Sequence, residues 1–235
     1  LGLRAIGSGG EALGADLLDW ARKELYSPIN EFYGQTEANL VIAACSGMMD
    51  RVPGAMGLPV PGHDVALLGP DDAPVTIVEF FDPACETCRA FHPIVKQILA
   101  DNPDDVRVVM RYTPFHGEGS ELAIKILEAA RLQDVFMPVL EALLENQPAW
   151  ASHGAPAAEQ IIRIAATAGL DVNAAATQIK SPSIVGILNQ DRADVQAVGI
   201  EGTPTFFVNG KRLTDFGPDQ LIALVQEEVQ ATANN

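Results

Sequence analysis

The feature that most constrains this chain is the turn Cys85-Glu86-Thr87-Cys88 together with what flanks it. Before it runs Val75-Thr76-Ile77-Val78-Glu79-Phe80-Phe81, rich in β-branched and aromatic residues and of strand length. After it, the segment from Arg89 to Leu99 sets Phe91, Ile94, Val95, Ile98 and Leu99 on one face at helical spacing. This order predicts a buried strand, a turn and an amphipathic helix, with Cys85 at the helix N-terminus. The positive end of the helix dipole lowers a thiol pKa there and favours the reactive thiolate. Cys88, one helical turn on, can reach a mixed disulfide formed at Cys85. Thiol-disulfide exchange needs that attacking and resolving pair.

Two other chemistries suit a C-x-x-C. A zinc site needs two more Cys or His ligands at matching spacing. The remaining cysteine is Cys45, and the four histidines (His63, His92, His116, His153) form no ligand pair. A static structural disulfide is the other, and so short a loop strains the bridge. The redox reading is preferred to both.

From about Asp71 to Ala231 the sequence resembles the DsbA family of thiol-disulfide oxidoreductases. Three ordered features carry the resemblance: the C-x-x-C, Glu79 six residues before Cys85, and Gly202-Thr203-Pro204-Thr205-Phe206-Phe207-Val208. The resemblance implies an α/β, thioredoxin-like fold with a helical insertion. Catalysis would run through Cys85 and Cys88, whose redox-active disulfide stands in place of any cofactor or metal. Glu79 would be a buried acid relaying a proton to or from Cys88. Pro204 would be cis, and Thr203 would present its backbone to a substrate chain beside Cys85. Alternation with Ile77 and Phe81 leaves open a Glu79 that faces solvent, though the buried role is preferred, and Pro204 taken alone could be a trans residue opening an edge strand. The partners implied are protein thiols and disulfides and a redox partner of unknown identity.

One departure tunes the expectation. The strongest oxidants of this family resemble Cys-Pro-His-Cys, whereas here the inner pair is Glu86-Thr87. A negative charge beside the nucleophile raises the Cys85 pKa by simple electrostatics and makes the couple less oxidising. Threonine before the cis-proline resembles the reductase and isomerase members. Two competing functions remain: a redox-inactive module holding extended peptides along the Thr203-Pro204 edge, and an adenylate-forming ligase.

The ligase reading comes from residues 1–68. Gly7-Ser8-Gly9-Gly10-Glu11, a short amphipathic stretch Asp16–Arg22, Tyr33-Gly34-Gln35-Thr36-Glu37 and the turn-rich Pro53–Gly62 follow in order. Together they resemble an internal piece of an acyl-CoA synthetase of the adenylate-forming superfamily. The resemblance places Gly10 and Glu11 against adenine, and sets Thr36, in the stretch opened by Tyr33, on the phosphates, with Glu37 on magnesium. The preceding phosphate loop and the ribose aspartate and lysine that should follow are missing, so these residues are expected to be relics without activity. A truncated fragment of this kind should pack poorly. Cys45 reads there as a small buried hydrophobe. Turn residues at Leu68–Pro74 put the boundary there, giving domains 1–68 and 69–235.

The rest of the second domain reads by period. Val106–Tyr112 alternates as a strand, and His116 in the next loop either faces the cysteines or is solvated. The stretch 119–198 reads as successive helices starting near Ser120, Asp134, Glu159, Asp171 and Pro182, with Trp150 and Phe136 as packing residues. Asn209-Gly210 joins two short apolar runs as a hairpin, and Pro218 opens a final helix.

Charge narrows the partners. A net charge of −16 and a pI near 4.5 speak against nucleic acid and anionic membrane surfaces. No apolar run has the length of a membrane span. No signal segment opens the chain, and the start at Leu1 suggests a fragment or processed product. Localisation is therefore open: the DsbA-like part implies a periplasmic, oxidising compartment, the synthetase-like part a cytoplasmic one.

Overall fold

The computed structural model describes residues 66–151 and 158–233 throughout, and before them residues 6–9, 20, 23–24, 29–33, 42–44 and 58–59. The chain divides into two compact units, Leu1–Asp64 and Val65–Asn235.

The first unit carries a four-stranded sheet in the order β1-β2-β3-β4. Strand β1 (Ile6–Gly9) runs parallel to β2 (Ile29–Tyr33), while β3 (Ile42–Ala44) and β4 (Leu58–Pro59) continue the sheet antiparallel. Trp20, Lys23 and Glu24 are helical, and Trp20 is exposed. Tyr33 ends β2 opposite Ile42. Gly10, Glu11, Thr36, Glu37 and Cys45, and with them the expectation of poor packing, lie outside the described residues.

The second unit is built on a five-stranded sheet in the order β5-β7-β6-β8-β9. Its edge strand β5 (Ala66–Leu68) pairs antiparallel with β7 (Val106–Tyr112). These three residues, which the turn signals assign to the first domain, thus belong to the sheet of the second. The central strand β6 (Val75–Phe81) is parallel to β7 and antiparallel to β8 (Thr205–Val208), so both of its edges are paired. All seven of its residues are buried. That is why its sequence reads as a continuous apolar run rather than a simple alternation.

The two faces of β6 serve different cores. Val75, Ile77 and Phe81 join Phe91, Val95 and Ile98 of helix α1 (Glu86–Asp101) and the helices of the insertion in the main core. Val78 and Phe80 face the other way, onto Val109, Phe207, Val195 and Ile200. Period 2 along the strand therefore assigns Glu79 to the face of Ile77 and Phe81.

Between β7 and β8 lies the helical insertion: α2 (Glu118–Leu132), α3 (Phe136–Glu145), α4 (Gln147–Trp150), α5 (Ala158–Thr167), α6 (Val172–Gln178) and α7 (Pro182–Val198). Asp171 caps α6 by accepting from the Asn173 and Ala174 amides, and Ser181 caps α7 from the Ile184 amide. Asp134 does not open α3 as read from sequence; it takes a left-handed φ of 59°, and the helix starts two residues later. Ser120 lies inside α2, its hydroxyl engaged elsewhere. Trp150 is buried and donates to the Leu143 carbonyl at 2.8 Å, and half-buried Phe136 packs on the same core.

The closing hairpin joins β8 to β9 (Lys211–Arg212) through Asn209 and Gly210, at φ 45° and 82°. Positive φ at both central residues is what a two-residue turn matching the strand twist requires, and Asn-Gly supplies it. Helix α8 (Pro218–Ala233) then buries Leu221 and Val225.

Candidate active site

Strand β6 ends at Phe81, and Asp82-Pro83-Ala84 carries the chain to Cys85, the N-cap residue of α1 with φ −76° and ψ 122°. The Cys85 amide closes this turn on the Asp82 carbonyl at 3.0 Å. Cys88 lies in the first turn of α1, fully buried, and Cys85 is 6% exposed. Both sulfurs are free thiols. Glu86 and Thr87 between them are exposed.

The far loop comes back to the same point. The peptide bond Thr203-Pro204 is cis, and the Cys85 thiol donates to the Thr203 carbonyl at 3.1 Å. Residues 118 apart in sequence thereby meet at one sulfur. The buried Gln147 side chain of α4 donates to the carbonyls of Pro83 at 2.8 Å and Cys85 at 2.9 Å, tying the insertion to the turn.

The two thiols are electrically unlike. Cys85 is lowered to about 5, first by its hydrogen bond with Cys88 and then by the Thr203 side chain and the amides of Cys88 and Thr87, against the opposing effect of burial. Cys88 is pushed far up by burial, with Cys85 and Glu79 adding to the rise. Glu79, buried on the cysteine side of β6, is raised to about 8 by burial first and by the Cys85 charge second. At neutral pH the arrangement holds one thiolate, at Cys85, and protons on Cys88 and Glu79.

The expected raising of Cys85 by Glu86 is not what sets this thiol. Glu86 points to solvent, where water and salt screen its charge, while the hydrogen bonds on Cys85 act at contact.

Sequence reasoning missed Asp82. Its carboxylate is fully buried and accepts five hydrogen bonds. One oxygen takes the Ala84 amide at 2.9 Å and the Ser120 hydroxyl at 2.7 Å. The other takes the amides of Phe115 at 2.8 Å and His116 at 3.1 Å, and the His116 ring Nδ1 at 2.7 Å. His116 thus lines the same cavity, of about 430 Å³, as Cys85, Glu86, Thr87, Gln147 and Pro148. The signal available in sequence was an Asp-Pro pair just past a strand, which reads as an ordinary turn. Among the described residues no group of three or more His, Cys, Asp or Glu is placed to hold a metal ion.

Comparison with known proteins bears on both parts of the chain. The family model described as thioredoxin matches residues 63–227, and the one described as AMP-binding enzyme matches residues 1–78. The disulfide bond formation protein D of Bacillus subtilis is 31% identical over 179 residues, covering 70% of this chain and 77% of that protein. The Na(+)/H(+) antiporter NhaA of Herminiimonas arsenicoxydans is 36% identical over 145 residues, or 62% of this chain. This chain spans only 22% of that antiporter's length. The crystal structure of a thioredoxin-like oxidoreductase from Silicibacter pomeroyi superposes with a TM-score of 0.62 at 30% identity, covering 75% of this chain and 95% of the other.

Proposed function

We infer the activity from kinship and site together, since the chain belongs to the DsbA family of thioredoxin-fold disulfide oxidoreductases. The proposal concerns the second unit: it exchanges disulfides with protein substrates through Cys85 and Cys88. The observation that carries it is Cys85 at the start of α1 with its sulfur 3.1 Å from the carbonyl before a cis-proline.

In the oxidising direction a substrate thiolate attacks Cys85 of the Cys85–Cys88 disulfide. The sulfur–sulfur bond breaks, and its electron pair leaves on Cys88. Glu79, protonated up to about pH 8, gives that sulfur its proton. A second substrate thiolate then attacks the substrate sulfur of the mixed disulfide and releases Cys85 as its stable thiolate. Two substrate thiols are oxidised and the protein disulfide is reduced. In the reducing direction the Cys85 thiolate attacks first; Glu79 releases its proton to solvent, takes the one from Cys88, and the Cys88 thiolate resolves the mixed disulfide.

Cys88 suits the resolving role because it is fully buried and held protonated, and so stays out of reach of substrate. Thr203 and Pro204 form the edge against which an extended substrate segment lies. The Cys85 value, about 5, falls between those of the strongest oxidant and of thioredoxin, about 3.5 and about 7. The couple is therefore less oxidising than the strongest DsbA-type enzymes, between about −120 and −270 mV. The setting that suits such an enzyme is an oxidising, extracytoplasmic compartment with protein thiols as substrates and a separate redox partner. Among the described residues no helix is long and apolar enough to cross a membrane.

The test is equilibration of the full chain against glutathione buffers, alongside Cys85→Ser. The parent should cycle in the stated range, and Cys85→Ser should lose exchange altogether. A chain that never cycles sinks the proposal.

A further inference from the structure

The turn Cys85-Glu86-Thr87-Cys88 carries no imidazole of its own. His116 belongs to the loop between β7 and α2 and lines the cavity onto which Cys85 opens. Its position is not that of a free loop residue. Asp82, fully buried one residue past β6, fixes both the loop backbone and the ring, through the amides of Phe115 and His116 and the ring Nδ1. The Thr113 amide, bound to the Phe81 carbonyl at 2.8 Å, anchors the loop at its other end. Asp82 in turn is held by the Ala84 amide and the Ser120 hydroxyl, so this one carboxylate couples the cysteine turn to the His116 loop.

A carboxylate can only accept. With Nδ1 bonded to it, the neutral ring carries its proton on Nδ1 and leaves Nε2 as a bare acceptor. An acceptor nitrogen oriented by a carboxylate, in the same cavity as a reactive sulfur, is the arrangement that activates a nucleophile. The nucleophile here is the substrate's. A cysteine thiol of ordinary pKa, about 8.5, is mostly protonated at neutral pH, and only its thiolate attacks a disulfide. Of the two residues inside the C-x-x-C, Thr87 has no basic group, and no hydrogen bond among the described residues orients the Glu86 carboxylate as Asp82 orients His116.

We propose that His116, oriented by Asp82, is the general base that takes the proton of the incoming substrate thiol at Cys85. The inference rests on the oxidoreductase reading and deepens it. The substrate S–H proton passes to Nε2 of His116, and the new thiolate attacks Cys85. The Cys85–Cys88 bond breaks with its electron pair on Cys88. In the reverse direction the imidazolium returns the proton to the departing substrate sulfur. Asp82 is a positioning residue in this scheme. The other ionisable groups lining the cavity are Cys85 and Glu86 from the start of α1, and Glu118 follows His116 by two residues in the chain; Gln147 and Pro148 of α4 do not titrate.

The test follows reduction of the oxidised full chain by a single-cysteine peptide across pH, comparing the parent with His116→Gln and Asp82→Asn. His116 is solvent-exposed, so its variant is expected to fold. At pH 7 its rate should fall about tenfold or more. The deficit should vanish above about pH 9.5, where the peptide ionises unaided, and the equilibrium against glutathione should stay within twofold. Asp82→Asn should show a smaller deficit with the same convergence. A rate ratio constant across pH, or a shifted glutathione equilibrium that accounts for the rate, overturns the proposal in favour of a structural role. If His116→Gln behaves as the parent while the parent still exchanges, this inference falls and the oxidoreductase reading stands. If the parent itself fails to react at any pH, it is that reading that falls.

Discussion

The two sides of the central sheet each bury charge, and they do so in opposite ways. On one side of β7, Arg111 is fully buried and pairs with Asp191 at 3.0 Å and with Asp194, both on α7. Asp191 also accepts the Tyr112 amide at 2.8 Å. Burial pushes the Asp191 carboxyl up, while Arg111 and that amide pull it back. The cluster sets one guanidinium between two carboxylates and fastens α7 to the sheet. On the cysteine side, Glu79 is set by burial and by a nearby thiolate, and it answers with a changed protonation state. The contrast separates a structural from a chemical use of the same cost. A buried charge that is paired holds elements together, whereas one left to shift its pKa stores a proton for transfer.

The largest effect that sharpens this contrast is Arg111→Met. It leaves Asp191 and Asp194 facing each other without a cation, and should cost about 3–5 kcal/mol of stability. Urea unfolding would measure it, and the Cys85–Cys88 potential should not move. A potential shift with little loss of stability would dissolve the distinction between the two sides.

Next in size is Glu79→Gln, which should act on pH dependence in the opposite sense. The folded state holds the Glu79 proton up to about pH 8, whereas the unfolded chain releases it near the ordinary value of 4.5. The contribution of that proton to stability is complete below the unfolded value and is lost as pH rises through the folded one. Relative to the parent, the glutamine variant should therefore gain stability from about pH 4.5 to pH 8 and hold the gain above, by at most about 5 kcal/mol. It should also slow breakage of the disulfide by about a hundredfold, having no proton to give Cys88. Unfolding midpoints at pH 4, 6 and 9 beside single-turnover kinetics would check both. Parallel stability curves for parent and variant would mean that Glu79 does not titrate in this window.

How much of this was legible in the sequence follows the range of the contacts. Strand β6, the cysteine turn and α1 are local patterns, read from period 2, a turn and period 3.6. The Asn209-Gly210 hairpin is equally local. The buried face of Glu79 was not readable from alternation, because β6 is covered on both sides and every residue in it is buried. Asp82 and Gln147 were missed for a different reason. The distant partners of Asp82 lie 33–38 residues away and those of Gln147 62–64, and only the packing of the insertion against the cysteine turn brings them together. Ser120 shows the same limit: as a helix-start residue it reads as a cap, yet its hydroxyl serves Asp82. The reading of Gly10, Glu11, Thr36 and Glu37 lies outside the described residues.

The smallest effect expected is the one the sequence weighted most. Glu86 adjoins the nucleophile in the chain, and adjacency suggests that its charge governs the thiolate. In the structure its side chain is exposed, and the field it sends to Cys85 passes through water and salt. The groups that lower Cys85 act at hydrogen-bond distance instead: Cys88, Thr203 and the first amides of α1. Glu86→Gln should therefore lower the Cys85 titration midpoint by less than about half a unit, as for a screened surface charge. That residual should shrink further on adding salt. Thiolate absorbance followed through acid titration, at low and high ionic strength, would show it. A fall of a full unit or more that survives salt would mean the carboxylate acts at contact. The inner pair of the C-x-x-C, rather than the Cys88 and Thr203 hydrogen bonds, would then set the potential. A small, salt-sensitive change would leave the tuning of Cys85 with the groups that touch its sulfur.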